Sequence, residues 1–231
     1  MKKVIIQAGP GPVELDIERT AIIVVDMQNG FCKRGGMLDI LGKLDWEKAK
    51  IVIEVNRKVV EAARKAGVRI IYLRMTYRPD ISNAGGPESP HYWKESAVVA
   101  MRQHPEFKGK FLTSGTWDNQ IIDDLQPQEE DIVIDKCRFS GFRHTELDAV
   151  LRTLGIKYIA FLGVATNICV ESTLRDGFFN DYFPIMVSDG CGTFGPDYLQ
   201  KATEWTVSNV FGWVTTSNEL TKALKYLTGS P

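Results

Sequence analysis

The chain lacks the residue patterns that mark a metal, disulfide or membrane protein. Its 231 residues include four cysteines, at positions 32, 137, 169 and 191, and three histidines, His91, His104 and His144. Neither set has ligand spacing, so no metal site is expected, and nothing suggests a disulfide framework. Charge of one sign is also missing. The net charge of −1 comes with no basic stripe, which disfavours nucleic acid and acidic membrane surfaces as partners. No apolar run approaches the roughly 20 residues that span a bilayer, and the start Met1-Lys2-Lys3-Val4-Ile5-Ile6 is too briefly apolar for a signal-peptide core. No Ser/Gly/Pro linker, repeat or low-complexity tract divides the sequence, whose 44% hydrophobic content suits one sizeable core. The expectation is a cytoplasmic, reduced, cofactor-free protein with one domain over residues 1–231, of which 1–18 form an N-terminal extension.

What is present is an alternation of strand and helix signals, the pattern of a doubly wound α/β domain. Thr20 to Asp26 and Val68 to Met75 are the first two strands. Between them, Trp46 to Ala66 has Ile51, Val55, Val59 and Ala62 or Ala63 spaced for one buried helical stripe, with Gly67 as its stop. A long loop through Pro79, Gly85, Gly86, Pro87 and Pro90 follows, of a length usually reserved for lids or binding walls. Asp131 to Lys136 and Ile156 to Val164 are further strands, separated by a helix that Thr145 is placed to cap. Pro184 to Asp189 is a fifth strand. Helices around Tyr198 to Asn209 and Ser217 to Leu227 flank a sixth at Trp213 to Thr215.

Chemistry concentrates where strands end. In Tyr158-Ile-Ala-Phe-Leu-Gly-Val-Ala-Thr-Asn-Ile-Cys-Val-Glu-Ser-Thr-Leu-Arg175 an apolar strand breaks at Gly163, and Cys169 falls in or near the first turn of a helix. Backbone N–H groups and the helix dipole lower a thiol's pKa there, which makes Cys169 a candidate nucleophile. Taken alone, the segment equally allows a small buried hydrophobe. Two other strands, Ala21-Ile-Ile-Val-Val-Asp26 and Asp131-Ile-Val-Ile-Asp-Lys136, end abruptly in a charge. Parallel strands covered on both faces bind ligands beyond their carboxyl ends, so Asp26, Lys136 and Cys169 are expected on one rim. A proton acceptor, a cation favouring the thiolate and a thiol are the groups that covalent attack on a carbonyl needs.

These three residues, within Val-Val-Asp26-Met-Gln-Asn, Asp-Lys136-Cys-Arg-Phe-Ser-Gly-Phe and Gly-Val-Ala-Thr-Asn-Ile-Cys169-Val, resemble the isochorismatase-like cysteine hydrolases in order, spacing and flanks. The resemblance runs from about Thr20 to the C-terminal helix. It implies a three-layer α/β/α fold around a six-stranded parallel sheet of order 3-2-1-4-5-6. It also implies an oxyanion hole from the backbone N–H groups of Ala165 and Cys169 beside a cis Val164–Ala165 peptide, and a homo-oligomer, dimeric or tetrameric. Within the family, Ala84-Gly-Gly-Pro-Glu-Ser-Pro90, Cys169-Val-Glu-Ser-Thr-Leu-Arg-Asp-Gly-Phe-Phe179 and Phe211-Gly-Trp-Val214 resemble the branch that hydrolyses ureidoacrylate, with biuret and triuret hydrolases as near relatives. The implied activity is cleavage of a C–N bond in a small ureido compound through a cysteine thioester. The alternatives are a biuret or triuret hydrolase, a hydrolase of N-carbamoyl amino acids or another small amide, and a non-catalytic binding or thiol-redox module. Met75 and Phe139 depart from that branch, which has asparagine and tyrosine there, and these changes bear on the substrate rather than the chemistry.

Phe31, Tyr77, Phe139, Trp93 and Trp117 are the expected substrate-binding side chains, although each suits a core equally and for the tryptophans the two readings balance. Two motifs mislead. Gly190-Cys-Gly-Thr-Phe-Gly195 fits G-x-G-x-x-G but comes late in the chain with no acid about 20 residues on to hold a ribose, so it is expected to be a flexible turn beside the pocket. The loop after the second strand reads Thr76-Tyr-Arg-Pro-Asp80, without the Asp-x-His metal motif of the nicotinamidases in this family.

Overall fold

Two short alternating segments open the chain and fold into a hairpin. In the computed structural model, which describes residues 2–228, strands β1 (Lys3–Ile6) and β2 (Val13–Asp16) pair antiparallel and bury Val4, Ile6, Val13 and Leu15. Of the span expected to form one domain, Met1 and residues 229–231 lie outside the described residues. The expected extension is therefore structured. It is also tied to the body of the protein, because Gly9 N–H donates to the Val214 carbonyl at 2.8 Å and Thr215 Oγ1 donates to that of Gln7 at 2.7 Å.

The apolar runs then become β3 (Thr20–Val25), β4 (Arg69–Met75), β5 (Ile132–Lys136), β6 (Tyr158–Val164), β7 (Phe183–Gly192) and β8 (Trp213–Thr215). They form a parallel sheet in the order β5-β4-β3-β6-β7-β8, the expected 3-2-1-4-5-6. Every residue of β3 is buried, as a central strand covered on both faces requires. Around the sheet run α1 (Asn29–Cys32), α2 (Met37–Ile40), α3 (Trp46–Ala66), α4 (Pro90–Lys94), α5 (Ser96–Gln103), α6 (Leu147–Thr153), α7 (Glu171–Phe179), α8 (Asp197–Thr206) and α9 (Ser217–Thr228). The chain crosses from β3 to β4 in one direction and from β6 to β7 in the other, so right-handed crossovers put α3 and α7 on opposite faces. Between β3 and β6 the direction of winding reverses, and the crevice of such a sheet opens there.

Two local readings change and one holds. The buried stripe of α3 is Val52, Ile53, Asn56, Val59, Val60 and Ala63, whereas Ile51 faces solvent. The stripe is rotated because Asn56 turns inward, its amide donating to the carbonyls of Val52 and Gly190, each at 2.8 Å. The segment expected as a flexible turn at Gly190 is strand: β7 continues through Gly192. Its glycines serve close packing, since a Cβ on Gly190 would lie 2.3 Å from Leu162. The expected role of Thr145 holds: its Oγ1 accepts from Leu147 N–H at 3.2 Å, two residues before the first residue of α6.

Candidate active site

Asp26 follows the last residue of β3, with a left-handed backbone (φ 51°). A non-glycine residue in that region is uncommon and is favoured at sites that need the geometry. The turn aims the carboxylate across the sheet. Its Oδ1 accepts from Met75 N–H at 3.0 Å, at the end of β4, and its Oδ2 from Lys136 Nζ at 2.7 Å, at the end of β5. Both side chains are essentially inaccessible, and Nζ donates also to the Arg138 carbonyl at 3.2 Å. Cys169 arrives from the other side of the sheet. It sits in a wide helical turn, Thr166–Val170, that runs directly into α7. Its thiol lies near enough to the Asp26 carboxylate and the Lys136 ammonium for each to influence it electrostatically. The structure thus brings all three charged or nucleophilic residues together.

This approach depends on Gly163. With φ at 107°, a Cβ there would lie 2.1 Å from the Val25 carbonyl oxygen, so no other residue fits where β6 passes the end of β3. The Val164–Ala165 peptide is cis. Ala165 immediately precedes that turn and Cys169 lies within it.

The electrostatics reverse one expectation. Burial pushes the Cys169 thiol well above its ordinary range, Lys136 pulls it down, and Asp26 pushes it up again. The helix start and the cation do not outweigh desolvation, so the resting residue is a thiol and not the expected thiolate. Burial likewise raises the Asp26 carboxyl, against the pull of Lys136. Burial opposes the charge on Lys136, but Asp26 and Cys169 together hold the ammonium above its ordinary range. A buried pair of this kind keeps its charges because each partner, together with the backbone groups of Met75 and Arg138, takes the place of water.

Several polar residues that hold this geometry carried no strong signal in the sequence. Gln28 accepts from Met75 N–H at 2.8 Å and donates to the carbonyls of Met75 at 2.9 Å and Asn119 at 2.8 Å. Asn119 donates to the same Met75 carbonyl at 2.9 Å. Together they clamp the backbone at the end of β4, so the peptide that hydrogen-bonds Asp26 cannot drift. A buried polar side chain two residues after Asp26 was the available hint for Gln28. For Asn119, distant in sequence, there was none.

The expected substrate-binding residues separate into two groups. Phe31 is buried and stacks on Phe194 with ring centroids 6.1 Å apart. Tyr77 is fully buried, its hydroxyl 2.8 Å from His91 Nε2, and the buried Glu95 is near enough to influence it electrostatically. Phe139 meets the edge of the His91 ring at 5.2 Å. Tyr77, His91 and Glu95 thus form a wall beside the three central residues. The two tryptophans lie outside it. Trp93 is 55% exposed and donates to the Pro87 carbonyl, and Trp117 is 50% exposed over a shallow depression with Phe107 and Phe111. Their rings are surface features and not core. Burial, then Arg138 and Lys136, lowers His91 to about 4, so at neutral pH it is an uncharged member of this wall. His144 is an exposed turn residue with φ 59°.

Among the described residues no cluster of His, Cys, Asp or Glu is arranged to hold a metal ion, and no helix is long and apolar enough to cross a membrane.

The chain is similar to known proteins over most of its length. The chain is similar to ureidoacrylate amidohydrolase RutB of Rhizobium rhizogenes, at 46% identity over 94% of this chain and 88% of that protein. It is 43% identical to ureidoacrylate amidohydrolase RutB of Acinetobacter baylyi, over 96% of this chain and 90% of that protein. Among solved structures, a cysteine hydrolase from Pseudomonas syringae pv. phaseolicola superposes with a TM-score of 0.78 at 30% identity, covering 98% of this chain and all of that one. An N-carbamoylsarcosine amidase from Thermoplasma acidophilum superposes at 0.64 and 27% identity, over 87% of this chain and 98% of that one. The isochorismatase domain is matched by residues 20–219, and on that extent and those relatives the chain belongs to the isochorismatase family.

Proposed function

We propose that this protein is a cysteine amidohydrolase that cleaves a C–N bond of a small, ureidoacrylate-like ureido compound. The buried contact of Lys136 Nζ with Asp26 at 2.7 Å, with the Cys169 thiol beside both, is the observation that carries this reading, and the amidohydrolase names of the relatives support it. Asp26, raised by burial, is a competent acceptor for the thiol proton once a carbonyl carbon is presented to Cys169. The thiolate forms at the moment of attack, with Lys136 beside it to offset the charge, which suits a thiol that rests protonated. Backbone N–H groups of Ala165 and Cys169 are the proposed donors to the tetrahedral oxyanion, and one such donor is worth roughly two to three orders of magnitude in rate. The protonated Asp26 then gives its proton to the leaving nitrogen as the tetrahedral carbon collapses to a thioester. It next takes a proton from water, whose attack on the thioester frees Cys169. With a carbamoyl thioester the product is carbamate, which breaks down to ammonia and carbon dioxide.

The proposed enzyme works as a homo-oligomer. Phe178, Phe179 and Phe211 form a mutually packed aromatic group on the surface, and Val210 beside them is 54% exposed, the sort of apolar patch that usually marks an interface. Light scattering on the purified protein tests that part. The activity is tested by measuring ammonia release from ureidoacrylate, biuret, triuret, N-carbamoyl amino acids and nicotinamide. Ureido compounds should lead, and preferential turnover of nicotinamide, or activity surviving in Cys169→Ala, would overturn the proposal.

A further inference from the structure

A cleft of about 470 Å³ lies against the wall of the site, its lining including His91, Arg138, Phe139, Arg143 and Ser172. It adjoins the reacting residues through three elements. Arg138 and Phe139 follow Lys136 in sequence, and the Arg138 carbonyl accepts from Lys136 Nζ. Ser172 lies one turn beyond Cys169 on the same helical run. His91 carries the hydroxyl of Tyr77 on its Nε2.

The charges in this cleft do not cancel. Arg175 is neutralised by Glu171, at 2.9 Å from its Nε. Asp176 accepts from Ser140 Oγ at 2.7 Å and forms no ion pair among the described residues. Arg138 spends one nitrogen on the carbonyls of Asn83 and Cys137 and leaves the other side of its guanidinium uncommitted. No hydrogen bond, ion pair or ring contact engages the Arg143 guanidinium among the described residues. Two planar, permanently charged forks therefore face a cleft holding one carboxylate, and such forks match a carboxylate in geometry as well as charge. The positive field reaches inward, since Arg138 and Lys136 both act with burial to keep His91 neutral.

We infer that this cleft is the subsite for a carboxylate at the far end of the substrate, with Arg143 as its specificity-determining residue and Arg138 beside it. The inference rests on the ureido-hydrolase reading and narrows it. The carbamoyl group points toward Cys169, and the anionic end remains in the cleft. Ureidoacrylate, the substrate that the relatives' names indicate, carries such a carboxylate, and biuret does not.

The test compares ureidoacrylate with 3-ureidoacrylamide, its neutral amide, in the wild type, Arg143→Gln and Arg143→Lys, with the remote surface variant Lys65→Gln as control. In Arg143→Gln the kcat/KM ratio of acid over amide should fall by about tenfold, the worth of one charge-assisted contact at a partly open site, with the loss in KM. Arg143→Lys should recover part of it, and Lys65→Gln should leave the ratio at its wild-type value. Raising the ionic strength should erode the wild-type preference. An unchanged ratio in Arg143→Gln overturns the inference while leaving the ureido-hydrolase reading intact. If the wild type turns over neither compound, calorimetry of both on Cys169→Ala decides separately. Charge-selective binding that Arg143→Gln removes keeps the anion subsite and discards the reaction, and equal or absent binding discards the subsite.

Discussion

Replacing Lys136 by Met tests the buried ion pair most directly. The side chains match in length, so the substitution removes the charge and three donors while filling most of the space. It leaves the Asp26 carboxylate inaccessible to solvent and without its cation. Breaking one side of a buried pair typically costs roughly 3–5 kcal/mol, because a charge remains where water cannot reach it. For a chain of this size each kcal/mol moves the midpoint by about 2–4 °C, so Tm should fall by roughly 6–20 °C. The deficit should depend on pH with a definite sign. Without Lys136 the already raised Asp26 carboxyl rises further, so the native state holds a proton that the unfolded state releases above about pH 4. The loss should therefore be largest at neutral and alkaline pH and shrink as pH falls toward 4. Pairing Lys136→Met with Asp26→Asn removes both charges and should restore most of the stability, since neutral replacements of buried pairs are tolerated. Urea unfolding of the four proteins at pH 5 and pH 8 completes the double-mutant cycle. If Lys136→Met is as stable as the wild type at pH 8, or if the double variant is no better than the single one, the two charges do not depend on each other and the argument fails.

The remaining predictions are of smaller scope. Asp26→Asn should lower the pH midpoint of Cys169 labelling by a small electrophile and Lys136→Met should raise it, since Asp26 pushes the thiol up and Lys136 pulls it down. Both should lose turnover, and midpoints that stay put in both variants would mean the three residues are not coupled. Gly163→Ala should destabilise the fold by at least about 2 kcal/mol and cut activity, because a Cβ would stand 2.1 Å from the Val25 carbonyl; a variant with wild-type Tm would refute that close approach. His91, lowered to about 4, is neutral in the native state while its unfolded counterpart takes a proton below about pH 6.5. Its contribution to stability is thus complete above that pH and lost on acidification toward 4. His91→Gln should be less sensitive to acid by about 1 kcal/mol, after discounting for its partial contact with solvent, and equal pH dependence in urea titrations would contradict this.

The sheet was legible in the sequence because its strands are buried on both faces and so appear as unbroken Ile/Val/Leu runs, as in Ala21 to Val25. The ends of those runs also disclosed where Asp26, Lys136 and the turn before Cys169 would lie, since a charge that interrupts a buried strand has to sit at its rim. Residues that act through distant partners were not legible. Gln28 and Asn119 meet at the Met75 backbone from places 91 residues apart, and a hydrogen bond over that separation leaves no periodicity to read. The same holds for Glu95 beneath Tyr77 and for the inward turn of Asn56 that rotated the stripe of α3. The protonation of Cys169 was hidden for a different reason. A helix start and a nearby lysine are local features that both favour a thiolate, but the desolvation that overrides them is a property of the packed crevice, and only the tertiary structure sets it.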